Sequence, residues 1–192
     1  MSPPPPFPQL VDSHCHLDFP QLSEDLPDVI ARARAAGVTR MVTICTRLRQ
    51  EPQVRAIADG HDGVFYAAGT HPMNAAEEPM ATVEALTALS AHPKFVGIGE
   101  TGLDYHYTAE TKAVQTESLL LHIEAARQTG LPLIIHARDA DDDMARILST
   151  EYAAGPYTCG RSSDSCGKSR WQWLSTSCGK GGGGDMAVRY AQ

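Results

Sequence analysis

The chain predicts an α/β fold built on a parallel sheet, of the TIM (β/α)8-barrel type, with about the first five βα units present. Three observations predict it. Strand-like apolar runs alternate with helix-periodic segments from about Leu10 to about Leu148. The runs are continuously apolar, as strands are when both faces are covered. Several of them end in ligand-type residues, at the end of a parallel barrel where functional loops converge. The competing arrangement is an open doubly wound sheet. It would typically carry a Gly-rich phosphate loop after its first strand, and this chain has none.

The first strand is Leu10 to His14. Its helix covers about Leu26 to Ala36, with Pro27 fixing the first turn and Gly37 past the end. Val29, Ile30, Ala33 and Ala36 make that helix's apolar face. The second strand, Met41 to Cys45, precedes a helix over about Glu51 to Asp59 that again starts with a proline, Pro52. The third, Val64 to Ala68, runs into Gly69-Thr70-His71-Pro72 and a helix over about Thr82 to Ala91. The fourth, Phe95 to Gly99, ends at Glu100. The longest helix follows, about Thr111 to Thr129, closed by Gly130, with Leu119, Leu120, Ile123 and Ala126 as its buried stripe. The fifth strand, Leu133 to Ile135, ends at His136, and a helix over about Ala140 to Leu148 turns Met144, Ile147 and Leu148 inward. Asp141, Asp142 and Asp143 charge its first turn, where the helix dipole favours anions.

From about Gly160 the text changes to Gly, Ser, Cys, Lys and Trp and ends near a run of four glycines. Residues 1–159 are therefore expected to be a partial barrel and 160–192 a low-complexity, disordered tail. The abrupt change points to a foreign or frame-shifted end, and reading the coding DNA past codon 159 in all three frames tests that. Strands one and five would then be open edges, so the chain as written is expected to be unstable or inactive.

One domain fits 192 residues with 42% apolar content, although a closed barrel usually needs about 250. The net charge is −7, and the last 33 residues hold five basic and two acidic side chains, so the body is strongly acidic. That argues against broad nonspecific nucleic-acid binding but not against a local phosphate site beside a metal. No apolar run is long enough to span a membrane. The start, Met1-Ser2-Pro3-Pro4-Pro5-Pro6, has no signal-peptide pattern and reads as a short extended arm. Five irregularly spaced cysteines make no disulfide framework, so a reducing cytoplasm is the expected location. No protein partner is inferred. Gly167-Lys168-Ser169 lacks the rest of a phosphate loop, and Cys159, Cys166 and Cys178 lack paired zinc-ligand spacing.

The chemistry concentrates at strand ends. Residues two apart on a strand share a face, so His14 and His16 aim two imidazoles at one point, as a divalent metal requires. Glu100 and His136 fall at the ends of strands four and five. Three imidazoles with a bridging carboxylate suit two metals about 3.5–4 Å apart, activating a water for in-line phosphoryl displacement. His71 and Arg138 are candidates for contacting substrate phosphate, with an ion pair to Asp139 or Asp141 as the alternative for Arg138. Asp104 is placed to shape the loop after Glu100, while His61, His92, His106 and His122 read as solvated or helix-end residues. No residue is assigned as the catalytic acid or base. The donor set suits Zn, Mn or, with fewer imidazoles, Mg.

The segments Val11-Asp12-Ser13-His14-Cys15-His16-Leu17-Asp18, Gly69-Thr70-His71-Pro72, Gly97-Ile98-Gly99-Glu100-Thr101-Gly102-Leu103-Asp104-Tyr105 and Pro132-Leu133-Ile134-Ile135-His136-Ala137-Arg138-Asp139-Ala140 resemble the TatD family of metal-dependent deoxyribonucleases. The match covers about residues 8–159, with four motifs in the family's order. The resemblance implies an amidohydrolase-like TIM barrel, two divalent metals and hydrolysis of DNA phosphodiesters. It implies that His14 and His16 bind the first metal, that Glu100 bridges, and that His136 binds the second. The family also supplies a His after strand six and an Asp after strand eight. Here all eight histidines lie at or before His136, and no Glu-Thr-Asp-Ser-Pro text occurs. The alternatives are another amidohydrolase-like enzyme, acting on an amide, lactone or phosphotriester, and an inactive metal-binding fragment. Such enzymes often place a carboxylated Lys on strand four; Glu100 favours the nuclease.

Overall fold

Five strands run parallel in sequential order: β1 (Leu10–Cys15), β2 (Val38–Cys45), β3 (Val64–Ala68), β4 (Phe95–Asp104) and β5 (Leu133–Arg138). The computed structural model describes residues 10–152 and the backbone of 184–187. The helices between the strands are α1 (Pro20–Ser23), α2 (Leu26–Ala35), α3 (Glu51–Gly60), α4 (Val83–Ala88) and α5 (Lys112–Thr129), and α6 (Asp141–Ile147) follows β5. Parallel neighbours joined by helical crossovers of one hand place every helix on the same face of the sheet. This is the first part of a (β/α)8-type barrel, as the sequence predicts.

Strand alternation divides the side chains between two layers. Met41, Cys45, Val64, Tyr66, Ala68, Ile98, Leu133 and Ile135 pack with Ile30, Val54, Ala58, Leu86, Leu119 and Ile123 of the helices in the main core. The opposite parity, Val42, Ile44, Ala67 and Ile134, forms a second small cluster on the barrel-interior face. The site stands on this inner face.

Local chemistry explains the helix limits. Prolines open α1, α2 and α3, where a missing N–H costs nothing. The Thr82 hydroxyl accepts from the Ala85 N–H at 3.1 Å and caps α4. Gly130, at φ 69°, closes α5 with its N–H on the Ala126 carbonyl. Asp141, Asp142 and Asp143 occupy the first turn of α6, as expected.

Several features differ from the sequence reading. Leu120 is exposed, and the buried stripe of α5 includes Gln115, Ser118 and His122 beside Leu119, Ile123 and Ala126. That stripe keeps helical spacing but is half polar, so a count of apolar residues misplaces it. β4 continues five residues past Gly99 to Asp104. Within 160–192 the described residues Gly184–Ala187 form a short strand, β6, antiparallel to β5. Strand five is therefore not an open edge along this stretch: its unpaired backbone groups accept any extended chain, with no side-chain period needed. The Pro-rich start, Gly167-Lys168-Ser169, Cys159, Cys166 and Cys178 lie outside the described residues. Among the described residues no helix is long and apolar enough to cross a membrane.

Candidate metal centre

The ligand-type residues rise from the inner cluster. His14 and His16 share a face of the chain, while Cys15 and Leu17 between and after them pack into the helix-side core. His136 is two residues beyond Ile134 and shares its face. The ligand atoms of His14, His16 and Glu100 lie within 4.8 Å of one another, and so do those of His71, Glu100 and His136. Glu100 belongs to both groups. Its Oε2 is 3.5 Å from His14 Nε2, and its Oε1 is 3.4 Å from His136 Nδ1 and 3.7 Å from His71 Nε2. The four ligands expected from the sequence thus come together, and His71 joins them.

Glycine lets β4 carry Glu100 into this position. Gly99 and Gly102 have φ values of 128° and 147°, which side-chain-bearing residues rarely adopt. A Cβ on Gly99 would run into the Ile134 carbonyl, and one on Gly102 into the His136 carbonyl. The backbones of β4 and β5 therefore approach closely on both sides of Glu100.

Hydrogen bonds fix which nitrogen each imidazole presents. His16 Nδ1 lies 3.1 Å from the Ile44 carbonyl, which can only accept, so Nδ1 carries the proton and Nε2 keeps its lone pair. His136 Nε2 donates to Asp104 Oδ2 at 3.0 Å, which turns the Nδ1 lone pair toward Glu100. His71 is the reverse. Its Nδ1 accepts from the Met73 N–H at 3.2 Å, so in the neutral ring Nε2 carries the proton facing Glu100. That makes His71 a hydrogen-bond donor in the site, a different chemistry from His16 and His136.

Burial pushes the Glu100 carboxyl up; when the surrounding rings are protonated, hydrogen bonds from His136 and His14 and the charges of His71 and His14 outweigh burial and hold the carboxyl well below the usual carboxylate range. Asp104 is also held down. Burial raises it, and the Tyr107 N–H, His136 and the His106 N–H outweigh that. Gln115 grips Asp104 from α5, accepting from its N–H at 2.8 Å and donating to its carbonyl at 3.1 Å. Asp104 therefore shapes the following loop, as expected, and also orients His136. Arg138 lies with its guanidinium 4.5 Å over the Tyr107 ring, while Asp139 pairs with His106 at 2.8 Å. The thiols of Cys15 and Cys45 are both pushed up to about 12 by burial, so neither is a nucleophile.

His122 corrects the sequence reading: it is fully buried, not solvated or at a helix end. Its Nδ1 donates to the Ser118 carbonyl at 2.7 Å, and its Nε2 accepts from the Thr70 N–H at 3.1 Å. This neutral imidazole ties α5 to the loop that carries His71. The helical i, i+4 spacing to Ser118 was available in the sequence, but the contact with Thr70 was not. Burial pushes the His122 pKa down from 6.5 to about 4. Above pH 6.5 the ring is neutral in both folded and unfolded chains. Between 6.5 and 4 only the unfolded chain takes up the proton, so stability falls with pH by about 1.4 kcal/mol per unit, about 3 kcal/mol in all. The expected result is that the stability advantage of the wild type over His122→Gln, from urea denaturation, is level from pH 7.5 to about 6.5 and then shrinks steadily to pH 4. A gap independent of pH would contradict the buried neutral form.

A signature of TatD-related DNases matches residues 11–161. The uncharacterized metal-dependent hydrolase YcfH of Escherichia coli K12 is 41% identical over 145 residues, covering 74% of this chain and 54% of YcfH. The 3'-5' ssDNA/RNA exonuclease TatD of Shigella flexneri is 32% identical over 139 residues, covering 72% of this chain and 54% of that protein. The crystal structure of YJJV, a TatD homolog from Escherichia coli, superposes with a TM-score of 0.67 at 30% identity, covering 72% of this chain and 54% of YJJV. The chain spans about half the length of the curated relatives it matches. With the family match spanning residues 11–161, the chain belongs to the TatD-related DNase family.

Proposed function

We propose that this site hydrolyses phosphodiester bonds of single-stranded nucleic acid, DNA first, with the help of two divalent cations. The observation that carries the reading is Glu100, a buried carboxylate shared by two ligand groups on one inner face. The donor set fits such ions. His14 and His16 would hold one, His136 the other, and Glu100 both, with Zn, Mn or Mg as the candidate metals. When bound, the cations supply Lewis acidity at a phosphoryl oxygen and make water a nucleophile at neutral pH.

The chain's own residues do the rest. Ile44 and Asp104 lock the ring orientations of His16 and His136, so the lone pairs are aimed before any ligand arrives. His71 donates its Nε2 proton to a phosphate oxygen, and His122 holds the loop that presents it. Arg138, backed by the Tyr107 ring, neutralises phosphate charge at the rim. The named activity of the Shigella relative supports the nucleic-acid substrate. Cys15 and Cys45 as thiols suit a reducing compartment, and we place the protein in the cytoplasm.

The test uses this chain beside one carrying a complete barrel, a 5'-labelled single-stranded DNA, and Mn, Mg or Zn against excess chelator. From the complete barrel, a ladder shortening from the 3' end, present with metal and abolished by chelator, is the expected result, with weaker or no cleavage from the chain as written. Full cleavage in chelator would overturn the reading. Metal uptake without cleavage would favour the metal-binding alternative, and turnover of an amide or phosphotriester instead would favour another amidohydrolase-like chemistry.

A further inference from the structure

We infer that Phe19 and Met73 form a stacking subsite for one unpaired nucleobase, beside the phosphate held near Glu100; this rests on the phosphodiesterase reading above. The two side chains share one cavity of about 270 Å³ with His16, Thr46, Asn74 and Glu100. The cavity sits near the lower end of the usual range for small-ligand sites, roughly 300 Å³, and suits one nucleotide rather than a duplex.

Both Phe19 and Met73 are 41% exposed, although they are large and apolar. Nothing in the main core requires them there. The Phe19 ring is stacked on His16, centroids 4.6 Å apart and planes at 17°, and the His16 ring is itself fixed by the Ile44 carbonyl. The backbone is fixed as well: the Phe19 N–H donates to the His16 carbonyl, and the Phe19 carbonyl accepts from Leu22 and Ser23. The ring is thus held in place before a ligand binds, which lowers the ordering cost of stacking on it. A base on the outer face of Phe19 continues the His16–Phe19 stack, and so sets its own phosphate next to the residues that share Glu100. Met73 adds a polarizable thioether, which packs well against aromatic faces, and its backbone N–H is tied to His71.

The occupant follows from two further points. Bases inside a duplex are covered on both faces by their neighbours, and a terminal base pair is too broad for a cavity of about 270 Å³, so an unpaired base is the occupant that fits. The body of the chain is acidic, so affinity cannot come mainly from attraction to many phosphates, and stacking must supply a share of it. Stacking also tolerates any base, because every base has a π-face.

The test measures fluorescence anisotropy of the full chain in excess chelator, where no turnover interferes. The probes are an intact single-stranded oligonucleotide and three versions with an abasic unit at each of the last three 3' positions. We expect one abasic position to weaken wild-type binding by about 5- to 150-fold. Phe19→Ala should bind the intact and abasic probes alike, at the weaker level. Phe19→Trp should restore the discrimination, while Phe19→Leu, which keeps apolar bulk without a π-face, should not. Wild type indifferent to all three abasic units, no binding to any probe, or discrimination retained in Phe19→Ala would overturn the subsite. Cleavage of the same DNA with metal reports on the phosphodiesterase reading separately, so the two can fail independently.

Discussion

Replacing Glu100 with Ala should lower metal-dependent turnover by about two to three orders of magnitude, because both ligand groups lose their shared carboxylate at once. Among the described residues no other side chain belongs to both groups. His14 and His16 serve one group, His136 the other, and His71 presents a proton rather than a lone pair. Glu100→Gln should be nearly as damaging, since the amide keeps the shape but not the charge. Steady-state rates on single-stranded DNA, with circular dichroism to show that the variants fold, make the comparison. Turnover of Glu100→Gln within a few-fold of wild type would contradict the role given to this carboxylate.

The second large effect is structural. Gly102→Ala places a Cβ into the His136 carbonyl at a backbone angle of φ 147°. Strained backbone costs about 1–3 kcal/mol and overpacking about as much again, so a loss of about 2–6 kcal/mol is expected. That is a large fraction of the stability of an ordinary domain, about 5–15 kcal/mol. Gly130→Ala is the natural control. Gly130 also has positive φ, 69°, but its Cβ would meet no heavy atom within 4 Å. It should therefore lose only the backbone part, about 1 kcal/mol. Denaturant midpoints of the two variants separate the clash from the strain. Equal losses would show that the close approach of β4 to β5 is not what Gly102 provides.

Much of this was legible in the sequence, for a physical reason. Continuous apolar runs mark strands covered on both faces, and the parity of residues along each run carries through to the site. His14 and His16 flank Cys15, and His136 follows Ile134 by two, so alternation alone sends these imidazoles to the inner face. What was not legible depends on contacts between distant segments. The extension of β4 to Asp104 passes through glycines that show no alternation. The burial of His122 depends on a backbone N–H more than fifty residues away, at Thr70. The proton position on His71 is set by a turn of only two residues, to Met73, whose geometry the letters do not specify. Leu120 was misplaced because polar residues took the buried positions of α5 beside it.

Anomalous X-ray diffraction from crystals of the chain grown with Mn tests the central claim most directly. The account predicts two peaks about 3.5–4 Å apart, one beside His14 and His16 and one beside His136, with the Glu100 carboxylate between them. A single peak, or peaks that do not touch Glu100, would contradict it.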